Sequence, residues 1–292
     1  MNVTVFSDLI FSFFGIELMD KEKEWFACDG KELRGSIVKG ECRGEAVVQL
    51  VRHKDRCVHG QAFYNGTKES ERPCASQLLD QEVGGQKITF DALHLIPDTV
   101  KKVEKKNGTF LIGLKENQKE LLDEMKRIAL HSKPVVQDTD TEKSHGRIDT
   151  RTYSGFDIEK AYFDQRWEGA NFQTVVQIER NSYNVKNQTE SSETAYYISN
   201  QKLDQGSSKQ DLFNAVRGHW NVETNNHIRD VTFKEDQLKT KHPAITKNMA
   251  ICRTVLLNLL YQLKLKNIKA KLEEFADNFQ ILLQWLIRIK VL

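Results

Sequence analysis

Cysteine and proline are scarce in this chain, and their pattern excludes several classes of protein. The 292 residues include five cysteines and four prolines. The cysteines are odd in number and form no Cys-x-x-Cys pair, so neither a disulfide framework nor a zinc ribbon is indicated. His53, Cys57 and His59 lie close together in the sequence, but without a second pair of ligands we interpret them as ordinary strand residues. We therefore expect reduced thiols and a cytoplasmic protein.

The chain also lacks an apolar run that is long enough to cross a bilayer. The apolar stretch near the amino terminus, Leu9–Leu18, is too short for a membrane span. It has neither a basic leader nor a cleavage site of small residues, as a signal peptide would. We expect this stretch to form a helix or strand that packs on the rest of the protein, and we expect no membrane partner.

Neither sign of charge dominates. The net charge is +2, from 43 Lys and Arg against 41 Asp and Glu. This balance does not by itself indicate a nucleic-acid partner, although it allows a basic face beside an acidic pocket. The length and the hydrophobic content of 39% fit a globular protein with one large domain and an insertion, or with two domains.

A charged helical segment near residue 220 is the first candidate for chemistry. It carries Arg217, His219, Trp220 and Glu223. Such charged residues most often cover a solvated helix face. Two aspartates elsewhere favour a functional site instead, because each follows an apolar run. Asp29 follows Trp25–Cys28, and Asp91 follows Lys87–Phe90.

Hydrophobic periodicity and turn residues predict alternating strands and helices around these aspartates. The predicted order begins β-β-β-α-β-α-β. The predicted strands are 25–28, 45–52, 57–64, 87–90 and 109–114, and the predicted helices are 75–83, 97–106, 119–131, 209–223, 244–265 and 271–289. The helix 244–265 has an apolar stripe of Met249, Cys252, Val255, Leu256, Leu259, Leu260 and Leu263.

Between residues 133 and 200 the sequence alternates polar and apolar residues and predicts a β-rich insertion, with polar loops at Gln137–Ser144 and Asn181–Ser192. The predicted divisions of the chain are an amino-terminal extension 1–24, a first core part 25–132, the insertion 133–205, a second core part 206–265 and a carboxyl-terminal helix 266–292.

This order, with the first and fourth strands each ending in aspartate, indicates an α/β fold of the ribonuclease-H-like type, with a mixed sheet flanked by helices and a β-rich insertion before the last catalytic helix. If those strands are neighbours, Asp29 and Asp91 meet at one edge and a helix can present Glu223 to both. Three close carboxylates repel one another unless cations compensate them. Oxygen ligands favour two Mg²⁺ or Mn²⁺ ions, which suit phosphodiester chemistry.

Each carboxylate also has an ordinary explanation. Asp29-Gly30 is a common turn dipeptide, Asp91 fits a cap for the segment that follows it, and Glu223 fits a surface charge. The three positions together are what favour a metal site.

Several sequence blocks resemble one known family. The blocks are Asp29-Gly-Lys-Glu-Leu-Arg-Gly-Ser36, Thr89-Phe-Asp-Ala-Leu93, Leu114-Lys-Glu-Asn-Gln118, His145-Gly-Arg147, Ala195-Tyr-Tyr-Ile-Ser199, Arg217-Gly-His-Trp-Asn-Val-Glu223 and Asp230-Val-Thr-Phe-Lys-Glu-Asp236. In this order they resemble the DDE transposases of bacterial insertion sequences, specifically the H-repeat-associated type.

The resemblance implies a function and assigns roles to residues. It implies that Asp29, Asp91 and Glu223 form the catalytic, metal-binding triad of an enzyme that cuts and joins DNA, with transposon ends and target DNA as partners and with a homo-oligomer on the DNA. It suggests that Trp220 stacks on a flipped base, although a buried tryptophan that packs the helix is an open alternative. The cations implied to face the DNA backbone are Lys31, Arg34, Lys115, Arg147, Arg217 and His219.

Two alternatives remain open from the sequence. Only 28 residues precede Asp29, whereas the resemblance implies a further amino-terminal domain, so a truncated copy is one expectation. Such a copy could be a catalytically silent DNA-binding or inhibitory protein that assembles through its carboxyl-terminal helices. A ribonuclease-H-like nuclease with another nucleic-acid substrate is the other alternative.

Overall fold

The computed structural model describes most of the chain, and the described residues form two compact units. They are residues 2–13, 23–65, 68–82, 85–144, 146–158, 161–204 and 207–288. The first unit comprises Met1–Glu82 and His219–Leu292, and the second comprises Val83–Gly218. Each unit contains its own strands and helices.

The described part of the chain contains both strands and helices. The strands are β1 Trp25–Glu32, β2 Ala46–Arg52, β3 Val58–Tyr64, β4 Lys87–Phe90, β5 Thr109–Leu114, β6 Val136–Ser144, β7 Arg147–Asp157, β8 Thr174–Asn184 and β9 Thr189–Ser199. The helices are α1 Val3–Phe13, α2 Lys68–Glu82, α3 Pro97–Lys105, α4 Lys119–His131, α5 Ser207–Gly218, α6 Trp220–His227, α7 Pro243–Gln262, α8 Ile268–Asp277 and α9 Phe279–Arg288. No helix that the structure describes is both long and apolar enough to span a membrane.

The strands of the first unit form an antiparallel meander. β1 pairs with β2, and β2 pairs with β3. The prediction that β1 ends before Asp29 is wrong, because Asp29 lies inside the strand and pairs with Gln49. The pairing continues to Glu32 opposite Ala46, since the apolar partner strand β2 extends that far and the polar residues of β1 can join its ladder.

The helix α2 begins earlier than the apolar periodicity indicates. It starts at Lys68 and contains Pro73, whereas the predicted helix starts at Ala75. The buried residues, such as Ala75 and Leu78, lie in its later part. The first turns carry polar and charged residues, so they give no hydrophobic signal from which a sequence-based prediction can work.

The strands of the second unit form a mixed sheet in the order β4-β5-β9-β8-β7-β6. β4 runs parallel to β5, and the remaining pairs are antiparallel. The strands of the predicted insertion therefore continue the same sheet as β5, through β9. The predicted α/β class, with a mixed sheet and flanking helices, is confirmed.

The prediction of two polar loops inside this β-rich region is wrong for most of their residues, which belong to strands. Gln137–Ser144 lies within β6, and only residues 185–188 of the segment Asn181–Ser192 form a turn between β8 and β9. These strands are polar on both faces and so lack the alternation that marks a half-buried strand. Cross-strand threonine pairs support the β6–β7 ladder instead, as between Thr141 and Thr150, whose hydroxyl oxygens are 3.2 Å apart.

Two helices predicted as continuous are interrupted. The segment Lys209–Glu223 spans most of α5 and the first turn of α6, with a break at His219 after Gly218. The segment Lys271–Ile289 spans parts of α8 and α9, which are separated at Asn278. The Asn278 side chain accepts hydrogen bonds from the backbone N–H groups of Gln280 and Ile281, so it starts a new helix where periodicity predicts a continuous one. Position 289 lies outside the described residues.

The buried face of α7 differs from the predicted stripe. Met249 is 38% exposed and Cys252 is also exposed. The buried positions instead include Thr254 and Asn258, whose polar groups bond to the strands of the first unit. Leu259 and Leu260 of the predicted stripe are buried, so the prediction is confirmed in part. An apolar stripe drawn from the sequence cannot include the polar residues Thr254 and Asn258, and the observed buried face is therefore rotated relative to the predicted one.

Candidate active site

Asp29 lies on the face of β1 that α6 covers. Side chains alternate across a strand, so Asp29 is on the same face as Ala27. Ala27 packs in a buried apolar cluster with Val51, Val58 and Val222, and Val222 belongs to α6. The half-buried carboxyl group of Asp29 therefore emerges beside the helix that carries Glu223.

Glu223 lies in the first turn of α6 and is exposed, directly after the buried Val222. The orientation of α6 is set by two amides. Asn221 donates a hydrogen bond to the carbonyl oxygen of His53 over 2.9 Å, and Asn225 donates one to the carbonyl oxygen of Arg56 over 2.9 Å. Both carbonyls belong to the turn between β2 and β3, so the helix is attached to the meander by its inward side.

Two side chains that lie close to Gly30 explain why a glycine follows Asp29. A Cβ atom at Gly30 would lie 2.6 Å from Oη of Tyr64 and 2.6 Å from Cδ of Glu71. Tyr64 donates a hydrogen bond of 2.8 Å to Glu71 Oε2. Burial raises the pKa of the Tyr64 phenol, and the negative charges of Glu71 and Asp29 raise it further. Glu71 could not be placed next to Gly30 from the sequence, because no local pattern indicates that β3 and α2 bring it there.

Lys31 and Arg34 follow Asp29 and contact the block that ends at Asp236. The Lys31 ammonium group is 2.5 Å from Asp230 and 3.9 Å from Asp236, and its side chain is 8% exposed. The backbone N–H of Arg34 donates to Asp236 Oδ1 over 3.0 Å. A DNA phosphate at Lys31 would have to compete with these carboxylates, whereas the Arg34 side chain is exposed.

Glu235 of the same block forms a buried ion pair with Arg229, which the sequence did not reveal. The Arg229 guanidinium is fully buried and donates two hydrogen bonds of 2.8 Å to Glu235. It donates a third, of 2.7 Å, to Gln49 Oε1 on β2. Gln49 in turn donates to Thr254 Oγ1 on α7 over 3.0 Å. A bidentate arginine with all its partners buried is a rigid connection between elements.

Asp91 lies in the second unit, immediately after β4. Its Oδ1 atom accepts a hydrogen bond of 3.0 Å from the Leu93 backbone N–H, so it caps the short 3-10 turn that follows. The capping explanation for this residue is therefore correct. It does not exclude ligation, because an ionised carboxylate has two oxygens with about four acceptor sites.

The turn after Asp91 is held by the block Leu114–Gln118. Asn117 donates to the carbonyl oxygen of Ala92 over 2.6 Å, and Gln118 donates to that of Leu95 over 2.8 Å. Lys115 is exposed at the start of the same block. These bonds give a structural reason for the amides of that block, which the sequence alone left unexplained.

The remaining basic candidates of the second unit differ in their surroundings. Arg147 is exposed at the start of β7. Arg217, near the end of α5, binds Asp140 at 2.8 Å and Glu142 at 2.9 Å, both on β6. The hydrogen bond with Arg217 lowers the pKa of Glu142, and the same bond raises the pKa of Arg217.

His219 and Trp220 lie where α6 begins. His219 is the half-buried residue at the break between α5 and α6. Trp220 is 57% exposed. The alternative of a buried tryptophan that packs the helix on the sheet is therefore wrong, and Trp220 presents its ring to solvent one helical turn before Glu223.

The residues that the structure describes include no group of three or more His, Cys, Asp or Glu side chains arranged to hold a metal ion. Asp29 and Glu223 belong to the first unit and lie on elements that pack together, whereas Asp91 belongs to the second.

Comparison with known proteins relates the chain to mobile-element proteins. Residues 29–259 match the family model described as "Transposase DDE domain". The chain is 28% identical over 248 residues to "Putative protein YbfL" of Escherichia coli (strain K12), and 27% identical over 248 residues to "H repeat-associated putative transposase YhhI" of the same strain. It is 28% identical over 253 residues to "Putative transposase YncI" of Escherichia coli O157:H7. Each match covers 82% of this chain but only 63–64% of the relative, so the chain spans slightly less than two thirds of their length.

Proposed function

Because the chain belongs to the transposase DDE domain family, we propose that it catalyses DNA strand cleavage and strand transfer of an insertion-sequence element. Asp29, Asp91 and Glu223 are the proposed catalytic residues. The observation that carries the proposal is the extent of the family match, which begins at Asp29 and ends at residue 259 and so contains all three carboxylates.

The proposed cofactor is a pair of Mg²⁺ or Mn²⁺ ions, held by these three carboxylates. The donor chemistry fits, since Mg²⁺ and Mn²⁺ prefer hard oxygen ligands. Asp29 is half-buried, Glu223 is exposed, and Asp91 offers a second carboxylate oxygen beside the one that caps its turn. When bound, the ions would supply Lewis acidity and lower the pKa of a bound water.

The proposed reaction has two balanced steps. In cleavage, water forms a bond to phosphorus while the bond from phosphorus to the 3′-oxygen breaks, which leaves a 3′-hydroxyl and a 5′-phosphate. In transfer, that 3′-hydroxyl attacks a target phosphodiester and displaces another 3′-oxygen, so no external energy source is needed. The role of the three side chains is to fix the positions of the reacting oxygens.

The proposed DNA contacts follow from exposure and charge. Arg34, Lys115 and Arg147 are exposed cations that suit phosphate oxygens. Lys31, Arg217 and His219 are proposed contacts as well, although Lys31 and Arg217 already bind carboxylates of the protein. Trp220 is proposed to stack on a base, because its ring is exposed near Glu223. Transposon ends, target DNA and further copies of this chain are the proposed partners.

The test uses a substitution that keeps the cap and removes the charge. Asp91→Asn retains an oxygen that accepts from the Leu93 N–H, because asparagine caps as well as aspartate. We expect Mn²⁺-dependent cleavage of DNA that carries the element ends to fall at least about 100-fold, since a ligand charge is lost. The measurement is the initial rate of strand cleavage on a denaturing gel.

Asp164→Asn is the matched control. Asp164 caps another 3-10 turn in the same unit and accepts from the Arg166 N–H over 3.0 Å. Its substitution should leave the cleavage rate within about twofold of wild type, because surface changes of this kind rarely matter. Salt-dependent DNA binding without any cleavage by the wild-type chain would contradict the enzymatic proposal and favour the catalytically silent alternative.

A further inference from the structure

A glutamine lies directly opposite Asp29 in the sheet. Gln49 on β2 is the register partner of Asp29 on β1. Residues directly opposite in an antiparallel pair project their side chains from the same face. Gln49 is 1% exposed, so its amide is enclosed beneath the helices that cover this face.

The same amide is bound to the chain segment that continues from the Glu223 helix. Arg229 follows α6 in the π-helical turn Ile228–Thr232 and donates a 2.7 Å hydrogen bond to Gln49 Oε1. The other guanidinium nitrogens donate to Glu235. The arginine therefore joins the strand position opposite Asp29 to the helix that carries Glu223, six residues earlier in the sequence.

A neighbouring ion pair makes a parallel connection. Lys31 is two residues after Asp29 on β1 and so lies on the same face. Its ammonium group is 2.5 Å from Asp230, the residue after Arg229. Two adjacent residues of the π-helical turn thus contact the two strands that hold Asp29 and its register partner.

We propose that Arg229 is a positioning residue that sets the place of Glu223 relative to Asp29 through its hydrogen bond to Gln49. This inference rests on the proposed function, because it assigns a purpose to the spacing of two carboxylates in that site. Arg229 has no direct part in the chemistry. It acts through the helix, as outer residues do when they orient the side chains that bind a metal.

Burying the charges of Arg229 and Glu235 is unfavourable, so their presence needs a reason other than packing. Removing a guanidinium and a carboxylate from water is unfavourable, and an apolar pair of similar volume is often as stable. A simple packing requirement would therefore be met by apolar residues. The Arg229–Glu235 pair adds what apolar residues lack, which is a fixed direction for a third hydrogen bond to Gln49.

Two variants remove the connection from opposite ends. Gln49→Met keeps the volume and the Arg229–Glu235 pair but deletes the acceptor on β2. The double variant Arg229→Met with Glu235→Met deletes the donor without leaving an unpaired buried charge. Arg253→Met is the matched control, because Arg253 lies 3.9 Å from the same Glu235 but belongs to α7 rather than to the Glu223 segment.

The readout is the Mn²⁺ requirement, measured well below the unfolding temperature of every variant. We expect the Mn²⁺ concentration for half-maximal binding, titrated by electron paramagnetic resonance without DNA, to rise on the order of 10- to 100-fold in both variants. The cleavage rate at saturating Mn²⁺ should recover to within a few-fold of wild type. Arg253→Met should leave the midpoint unchanged. A lower unfolding temperature with an unchanged Mn²⁺ midpoint would overturn the inference, because that result describes a purely structural role.

Hydrogen exchange separates this inference from the proposed function. We expect the amides of α6 to exchange faster in both variants, and by a larger factor than those of α7, which also contacts Gln49 and Glu235. If the wild-type chain neither binds Mn²⁺ nor cleaves DNA, the proposed function fails, and faster exchange that is largest in α6 would still support the positioning role. Unchanged α6 exchange would overturn the positioning role whether or not the wild type is active.

Discussion

At the scale of single residues, the first unit buries a histidine in its neutral form. His59 on β3 is 8% exposed and packs edge to face on Phe26. Neither ring nitrogen has a hydrogen-bond partner among the described residues. Burial lowers the pKa of His59 to about 4, the charge of Arg52 lowers it further, and the charges of Asp55 and Glu24 oppose the shift.

This pKa predicts loss of stability in acid. The folded pKa lies below the unfolded value of 6.5, so the unfolded chain binds the proton first and the free energy of unfolding decreases as the pH falls from 6.5 towards 4. Above pH 6.5 the contribution is fully present. We expect His59 to account for roughly 3 kcal/mol of the loss between pH 7 and pH 4.

Urea unfolding at several pH values checks this prediction. His59→Leu should show a shallower dependence on pH than the wild type over this range. His242→Leu, which replaces an exposed histidine, should keep the wild-type dependence. Parallel curves for wild type and His59→Leu would show that the folded histidine titrates near its usual pKa.

At the scale of elements, the helix α6 depends on amide hydrogen bonds more than on apolar packing. It has eight residues and only two of them, Val222 and Asn225, are buried. Asn225 donates to the Arg56 carbonyl and accepts a 2.6 Å hydrogen bond from the Tyr261 hydroxyl on α7. Because a helix this short is marginal by itself, these contacts hold it in place.

Asn225→Leu should therefore destabilise the protein strongly. The substitution removes the hydrogen bonds to the Arg56 carbonyl and from the Tyr261 hydroxyl, both of which are partly buried, and we expect this to cost about 1–3 kcal/mol. Urea unfolding monitored by circular dichroism measures the loss. Thr224→Ala, on the less buried side of the same helix, should change the free energy of unfolding by no more than about 0.5 kcal/mol. Equal effects of the two substitutions would show that the Asn225 bonds do not support α6.

At the scale of the whole molecule, charge placement matters more than net charge. The chain carries only +2, so the proposed DNA binding depends on where the cations lie and on which of them already bind a carboxylate. Arg147 is exposed at the start of β7. Arg217 is engaged by Asp140 and Glu142 on β6, so a phosphate would first have to displace both.

This contrast predicts different effects on DNA binding. Arg147→Gln should weaken binding for all sequences and reduce the slope of log affinity against log salt by about one, as expected for one lost phosphate contact. Arg217→Gln should have a smaller effect. The double variant Asp140→Asn with Glu142→Gln should tighten binding, because it releases Arg217 and removes two repulsive charges.

Fluorescence anisotropy with a labelled duplex at several salt concentrations measures these affinities. The proposed phosphate contact of Arg217 would be contradicted if the double variant bound DNA no more tightly than the wild type. An unchanged salt slope in Arg147→Gln would likewise remove Arg147 from the set of contacts.

The sequence by itself determined the elements that have strong local signals. The bounds of β4 and α4 agree with the prediction, because an apolar run before Asp91 and a regular helical period after Gln118 mark them locally. The α/β class and the family follow from the same ordered blocks. The three carboxylates proposed for the site were also named from the sequence, and the structure places them at exposed or half-buried positions.

Only the tertiary structure decided features that depend on distant residues. Asp29 lies within β1 because β2 continues beside it, and the exposed ring of Trp220 follows from the way α6 is attached to the β2–β3 turn. The hydrogen bond between Gln49 and Arg229 joins positions 180 residues apart. Local patterns report a residue's own helix or strand, whereas a buried arginine is stable only where folding brings an acceptor from elsewhere in the chain.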